Sequence, residues 1–485
     1  MAESTAGGGD LLTTVVAQTQ AADANAGLKA LLEQTAAAGV SAEAAAEKTK
    51  TVRNAIQLIE HHISLLDAKV EDQLNEVLHN DKFQELEGSW RGLYYLASRA
   101  ETGTMLKLRV ISATKKELLS DIENASDFDQ SRLFKALYEE EYGTYGGEPY
   151  GLLVGGYEFG RLPADLDLLM SLSNIASAAH APMIASASAG MFGLDSFAKL
   201  GDPRDLAKIF ESNMEKFQQF RGMEDARYCA LTLPRMLVRL PYDNEQNPVE
   251  GLNFNEAVDG TDTSKYLWGV SAWAMAERVT NAFAVYRWTA AIRGAEGGGM
   301  VEGLPIHKYK TPDGDIASKV PTEVAITDRR EKELSDLGFL PLVWCKNTNY
   351  ATFFGGSTVN KPRSYDTDFA NANARLSSML PYVMSASRFA HYLKVIVRDK
   401  VGSFMTRDDV SAYLNRWIMR YVLAKDDAGQ DLKARYPLRD ARVDVYDVPG
   451  KPGAYRAVVF VRPHFQLDEL TASIRLVADL PPPAG

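Results

Sequence analysis

No aromatic residue occurs before Phe83, although the 485-residue chain contains 19 Phe, 21 Tyr and 6 Trp. Aromatic side chains are the largest groups a core buries. Residues 1–82 therefore lack the means to close a core of their own. They read as a tail followed by a helix that packs on something else. The tail, residues 1–47, begins MAESTAGGGD and is Ala-rich. Within it, Asp10 is placed to cap a short apolar helix that begins Leu11-Leu12 and sets Leu12, Val15 and Val16 on one face. The same composition also fits an Ala-rich linker.

Residues 48–82 carry a sharper pattern. Val52, Ile56, Ile59, Ile63, Leu66, Val70 and Val77 follow one another at heptad spacing, with Gln73 as the one polar break. This is an a/d seam sustained over more than three heptads, with Arg53, Gln57, Glu60, Asp67, Lys69 and Asp72 on the other faces. A seam this narrow fits a single partner helix. The alternative is a long amphipathic helix lying on its own domain.

From Phe83 the chain alternates between strand and helix patterns. Strands are expected at 106–111, 150–156, 181–186, 323–326 and 340–345, and residues 226–242 combine a strand-like stretch with two prolines. Helices are expected at 115–122, 165–179, 266–288, 328–337 and 376–401. Residues 293–322, rich in Gly and Pro, read as an exposed loop or insertion, and 357–375 as a polar connection. The fold class is α/β: mixed sheets with flanking helices. The domains expected are 1–47, 48–82, a central α/β domain at 83–360 and a C-terminal domain at 361–485.

The last region ends in a ribbon. Residues 442–447 alternate with period two through Val443 and Val445, and 449–453 (PGKPG) is a turn. Residues 454–461 return as a strand carrying Tyr455, Val459 and Val461, and 472–477 has the pattern of a third strand. A two-stranded ribbon is marginal alone, and an open edge is a template for another chain's strand.

Chemistry is sparse. The chain has no phosphate-cradling G-x-x-x-x-G-K-[ST], no G-x-G-x-x-G, no G-x-S-x-G and no H-E-x-x-H. Its two cysteines, Cys229 and Cys345, are too few for a disulfide framework or a Cys-based zinc site. Asp165 and Asp167 face apart on a helix, and the adjacent His61 and His62 cannot share a metal. His180, His391 and His464 read as structural. Expected, then, are no catalytic residues, no metal and no cofactor. A net charge of −11 argues against a general nucleic-acid or anionic-membrane binder. No apolar run approaches the ~18 residues of a membrane span, and no leader pattern opens the chain, so a cytoplasmic protein is expected.

The segment 78–93, LHNDKFQELEGSWRGL, resembles the L-H-x-x-x-F-Q-x-x-E-x-x-W-R-G-L pattern of the large sheath subunit of type VI secretion systems. So do AHAP at 179–182, EDARYCALTLPRMLVRLPY at 224–242, YLWG at 266–269, PTEVAITDRREKELSDLGF at 321–339, LPYVMSASRFAHYLKV at 380–395 and PLRDARVDVYDVPGKPGAYRAVVFVRPHF at 437–465. The resemblance implies a non-enzymatic structural subunit with a core like that of phage tail sheath proteins. It implies an obligate heterodimer with a small sheath subunit, and helical polymerisation of the pair around an inner tube protein on a baseplate. It also implies contraction, and recycling by a AAA+ ATPase that reads an N-terminal helix. The segment here that matches such a helix contains Leu11, Leu12, Val15 and Val16. The resemblance further implies that strands of the C-terminal ribbon pair with neighbouring subunits. Two other readings stand beside it: the sheath of a phage-like contractile particle, and an α/β enzyme using His180 or His391 with nearby carboxylates.

Overall fold

The structure is a computed structural model, and it describes residues 48–202, 205–212, 214–311, 313–403, 405–425, 427–450 and 453–466. The short tail helix and the expected strand at 472–477 lie outside these residues.

The chain divides into two compact units, one of Met1–Val77 with Tyr242–Glu256, the other of Leu78–Pro241 with Ala257–Gly485. In the first, α1 (Lys48–Leu78) is one uninterrupted helix of 31 residues, as the heptad pattern requires. The segment 242–256 closes on itself. Its ends exchange bonds, Glu256 N to Tyr242 O at 2.8 Å and Tyr242 N to the Glu256 carboxylate at 2.9 Å. The Asp243 carboxylate caps the turn by accepting from Glu245 N at 2.8 Å.

The second unit begins with α2 (Asp81–Arg99), whose Asn80 side chain accepts from Lys82 N. α3 (Lys115–Glu123) opens with a capping box between Thr114 and Glu117. The strands are β1 (Leu153–Phe159), β2 (Met183–Ala187), β3 (Cys229–Leu233), β4 (Met236–Leu237), β5 (Trp268–Gly269), β6 (Met300–Val301), β7 (His307–Lys310), β8 (Ile316–Lys319), β9 (Phe339–Trp344), β10 (Ala351–Phe353), β11 (Leu438–Asp447) and β12 (Tyr455–Pro463). Between them lie α4 (Pro163–Ala178), α5 (Leu206–Ser212), α6 (Glu215–Gly222), α7 (Ala272–Tyr286), α8 (Asp328–Asp336), α9 (Asp368–Ser377), α10 (Leu380–Lys400), α11 (Arg407–Ile418) and α12 (Gln430–Arg435).

The main sheet runs β1-β2-β3-β9-β10-β6. β1, β2, β3 and β9 are parallel; β10 pairs antiparallel with β9, and β6 pairs antiparallel with β10. Its strands are apolar on both faces because helices cover both. Met183, Ala185, Leu231 and Phe339 join one buried cluster with Leu166, Phe192, Phe210 and Phe217. Ile184, Ala230 and Leu340 point the other way, to Leu96, Trp273 and Met275 of α2 and α7. The fold is mixed α/β with flanking helices, as the sequence predicts.

Several local expectations are corrected. Residues 106–111 form no strand: Lys107 and Arg109 are held by ion pairs to Glu148 and Glu141 rather than by a backbone ladder. The strand expected at 150–156 starts at Leu153 and runs to Phe159, half-buried at the edge of the main sheet. The helix expected at 266–288 spans Ala272–Tyr286, since Trp268 and Gly269 are taken by pairing with β4. Residues 293–322 are not simply a loop; they supply β6 to the main sheet and the β7–β8 hairpin. Residues 323–326 are not a strand, because the Glu323 side chain turns inward to accept from Ser196 Oγ at 2.7 Å and Phe197 N at 3.0 Å. Part of the polar stretch 357–375 is helical, as α9. The long helix starts at Leu380, where Pro381 sets its first turn.

Candidate assembly surfaces

The C-terminal ribbon is an antiparallel pair in which Ala441, Val443, Val445 and Asp447 face Val461, Val459, Ala457 and Tyr455. α11 is fixed by a capping box at its start. Thr406 N donates to the Asp409 carboxylate at 3.0 Å, and Asp409 N donates back to Thr406 Oγ1 at 3.3 Å. Donation from Thr406 Oγ1 at 2.7 Å, and then from Thr406 N, holds the Asp409 carboxyl below its ordinary pKa. From this helix Leu414 and Ile418 meet Leu438, Ala441, Val443 and Val445. Trp288 and Phe389, stacked at 4.3 Å between ring centroids, complete the same cluster.

The two edges of the ribbon differ. Asn415 Nδ2 donates to Val443 O at 2.7 Å, and Val443 N donates to Asn415 Oδ1 at 2.9 Å. Further along, Leu423 N donates to Leu438 O at 2.8 Å beside a Val422–Leu438 bridge. The outer edge of β11 is thus occupied by side-chain and loop groups. The backbone groups of Val443 turn away from β12. In an antiparallel pair the residue opposite then also turns its N–H and C=O outward. Val459 opposes Val443, so Val459, and with it Ala457 and Val461 at period two, presents both backbone groups on the far side of β12. No strand of the described residues pairs there.

The side chains follow the same asymmetry. Val443 and Val445 are buried, Tyr455 and Val461 half-buried against the cluster, and Val459 is 36% exposed. On the opposite face Val458 and Phe460 are exposed. At the connecting turn Val448 N donates to Ala454 O at 3.0 Å, and Gly450 and Gly453 have φ of 77° and 80°, a region glycine enters without strain.

Of the seam residues on α1, Ile59 is half-buried, while Ile63 is 51% and Leu66 53% exposed, with Val70 and Val77 also exposed. Val52 and Ile56 lie on the same helix, their side chains outside the described residues, as are Leu11, Leu12, Val15 and Val16.

The residues weighed for chemistry are tied into packing. His391 Nε2 bonds Ala179 O at 2.9 Å, and His180 Nδ1 bonds Tyr228 Oη at 3.2 Å. Asp165 pairs with Lys115 at 2.8 Å, and Asp167 with Lys216 at 2.5 Å. Cys229 is fully buried and its thiol pKa is pushed up by burial. Among the described residues no His/Cys/Asp/Glu group is arranged to hold a metal, and no helix is long and apolar enough to cross a membrane. Asn415 was not legible as a functional residue: an Asn in a helix carries no spacing that says it will bond a strand edge.

A layered α/β body carries a terminal ribbon with one edge left unpaired among the described residues, and the chain is a tail sheath protein. Residues 60–360 match the family model described as EvpB/VC_A0108, tail sheath N-terminal domain. Residues 369–480 match that of the EvpB/VC_A0108 tail sheath gpW/gp25-like domain. The chain belongs to this family. It is 47% identical over 445 residues to the type VI secretion system sheath protein TssC1 of Pseudomonas aeruginosa (strain PAO1), covering 91% of this chain and 89% of that protein. Among solved structures it is similar, at 10% identity and a TM-score of 0.34, to a chain of the anti-feeding prophage baseplate, over 65% of this chain and just under two thirds (66%) of that one. A chain of the contracted anti-feeding prophage helical sheath gives 10% identity and a TM-score of 0.30, over 64% of this chain and 74% of that one.

Proposed function

We propose that this chain is the large subunit of a type VI contractile sheath. It forms an obligate heterodimer with a small sheath subunit, one of whose helices lies along Val52, Ile56, Ile59, Ile63, Leu66, Val70 and Val77 of α1. The heterodimers polymerise in the cytoplasm as a helical tube around an inner tube protein, starting on a baseplate. Contraction propels the inner tube, and a AAA+ ATPase that reads the segment around Leu11, Leu12, Val15 and Val16 recycles the spent sheath. Residues 1–47 then serve recycling, 48–82 the partner, 83–360 the body and 361–485 the links between subunits. The role is structural rather than enzymatic.

One observation carries this reading. The ribbon has one edge filled by Asn415 and Leu423, and the other left with the backbone groups of Ala457, Val459 and Val461 facing outward. A strand added there forms about five hydrogen bonds at roughly 1 kcal/mol net each, or ~5 kcal/mol per junction. Such a link is main-chain only, so it tolerates rotation of the bodies it joins. Contraction in this picture is a passage from a metastable extended assembly to a compact one.

The test is co-expression of the chain with a small sheath subunit, followed by negative-stain microscopy. Tubes with the partner, and misassembly without it, are expected. A monodisperse monomer indifferent to the partner overturns the proposal.

A further inference from the structure

A second surface feature lies beside α9. The turn Asp225–Tyr228 and the chain from Pro362 into α9 enclose a cavity of about 180 Å³ whose wall includes Arg227, Arg363, Tyr365, Asn373 and Ser377. Among the described residues Glu224 is the one carboxylate in that wall. Neither guanidinium forms an ion pair with a described residue, and Arg227 Nε is shut off from solvent with no hydrogen-bond partner among them. A buried guanidinium N–H without an acceptor is costly. Two arginine forks on one small cavity match the geometry of an oxyanion.

The rim says where that oxyanion comes from. Tyr365 is half-exposed, and Phe369, next to the cavity-lining Ala370, is 79% exposed. Arginine flanked by exposed aromatic rings is the composition of a protein interface rather than of a site for a free ion. The chain carries a net charge of −11, so its surface is rich in carboxylates, and this cavity, with two guanidinium groups to one carboxylate, is a local reversal of that charge.

We propose that the cavity receives an acidic side chain of a second copy of this chain, its carboxylate set between Arg227 and Arg363 with apolar surface over Phe369. The inference rests on the sheath reading, since it needs copies brought together in a polymer.

Two measurements on the full chain assembled with its small partner test it. A photo-crosslinking phenylalanine analogue at Phe369 is expected to join two copies of this chain in sedimented tubes. Cross-links only to the small subunit, or none, overturn the proposal. Arg363 is exposed, so Arg363→Gln leaves the fold intact. It is expected to raise the protein concentration needed for tubes about tenfold and to weaken the salt dependence of assembly. An unchanged threshold and salt slope overturn the docking proposal and leave the sheath reading standing. Wild-type chain that builds no tubes with its partner removes the sheath reading, and the docking proposal falls with it.

Discussion

The side-chain amide of Asn415 binds both backbone groups of Val443, donating to its carbonyl at 2.7 Å and accepting from its N–H at 2.9 Å. An amide side chain thereby takes the place of a neighbouring strand. Asn415→Ala leaves two half-buried backbone groups of a strand without partners. A loss of about 1–3 kcal/mol is expected, read by urea unfolding, together with faster exchange of the Val443 amide. Asn415→Asp keeps the acceptor but sets an anion against the Val443 carbonyl, and is expected to be no better than alanine.

Register makes a paired prediction along β12. Val459 N–H faces outward, whereas Val458 opposes Asp444 in a hydrogen-bonded pair of the ribbon. Val459→Pro removes a donor that no strand of the described residues uses and that the proposed added strand would take. It is expected to spare folding and the heterodimer and to block tube growth. Val458→Pro breaks a bond within the ribbon and is expected to lower the melting temperature as well. Circular dichroism melts and negative-stain images of both variants separate the cases; equal folding loss in the two contradicts the assigned register.

The seam of α1 yields a different signature. Ile63 and Leu66 are both about half exposed, so Leu66→Asp removes little that the isolated chain buries. Its melting temperature is expected to stay within a degree or two of wild type, because surface substitutions of this kind fall within about 0.5 kcal/mol. Co-purification of the small subunit is expected to be lost. A variant that still pulls down its partner at wild-type yield shows that the seam is not the contact.

Close packing governs α2. A Cβ added at Gly88 would lie 2.8 Å from the backbone oxygen of Trp268, an atom that cannot swing aside. Gly88→Ala must lift the helix from β5, and a destabilisation of about 1–3 kcal/mol is expected by urea unfolding. Gly103, with nothing near its Cβ position, is the control, and Gly103→Ala is expected to be neutral.

What was legible in the sequence was what periodicity encodes. Period two in 442–447, the turn at 449–453 and the apolar run at 454–461 marked the ribbon, and the heptad spacing marked α1 as one helix. What was not legible depended on distant residues. Residues 106–111 alternate like a strand, yet acidic partners far along the chain, Glu141 and Glu148, hold them off any ladder. Met300 and Val301 sit amid glycines and read as loop, but the edge of β10 recruits them. Glu323 broke an expected strand because buried donors at Ser196 and Phe197 were waiting for a carboxylate. That a ribbon's edges need covering or pairing followed from the pattern; that the outer edge of β11 is covered required Asn415.

Proton uptake at α10 gives the last prediction. His391 is buried, its Nε2 bonded to Ala179 O, and burial lowers its pKa from 6.5 to about 4. The groups around it give a proton no anion to meet: Arg388 and Lys394 on its own helix, His180 at a ring distance of 6.3 Å, and the Tyr142 ring at 5.3 Å. The folded state therefore binds this proton more weakly than the unfolded chain does. The contribution is fully present above pH 6.5 and is lost as pH falls toward 4, to an extent of about 3 kcal/mol. Melting temperatures of wild type and His391→Gln between pH 4.5 and 7.5 isolate it, since glutamine does not titrate. The wild type is expected to lose more stability on acidification than the variant. Parallel curves for the two proteins contradict the assignment of this proton to His391.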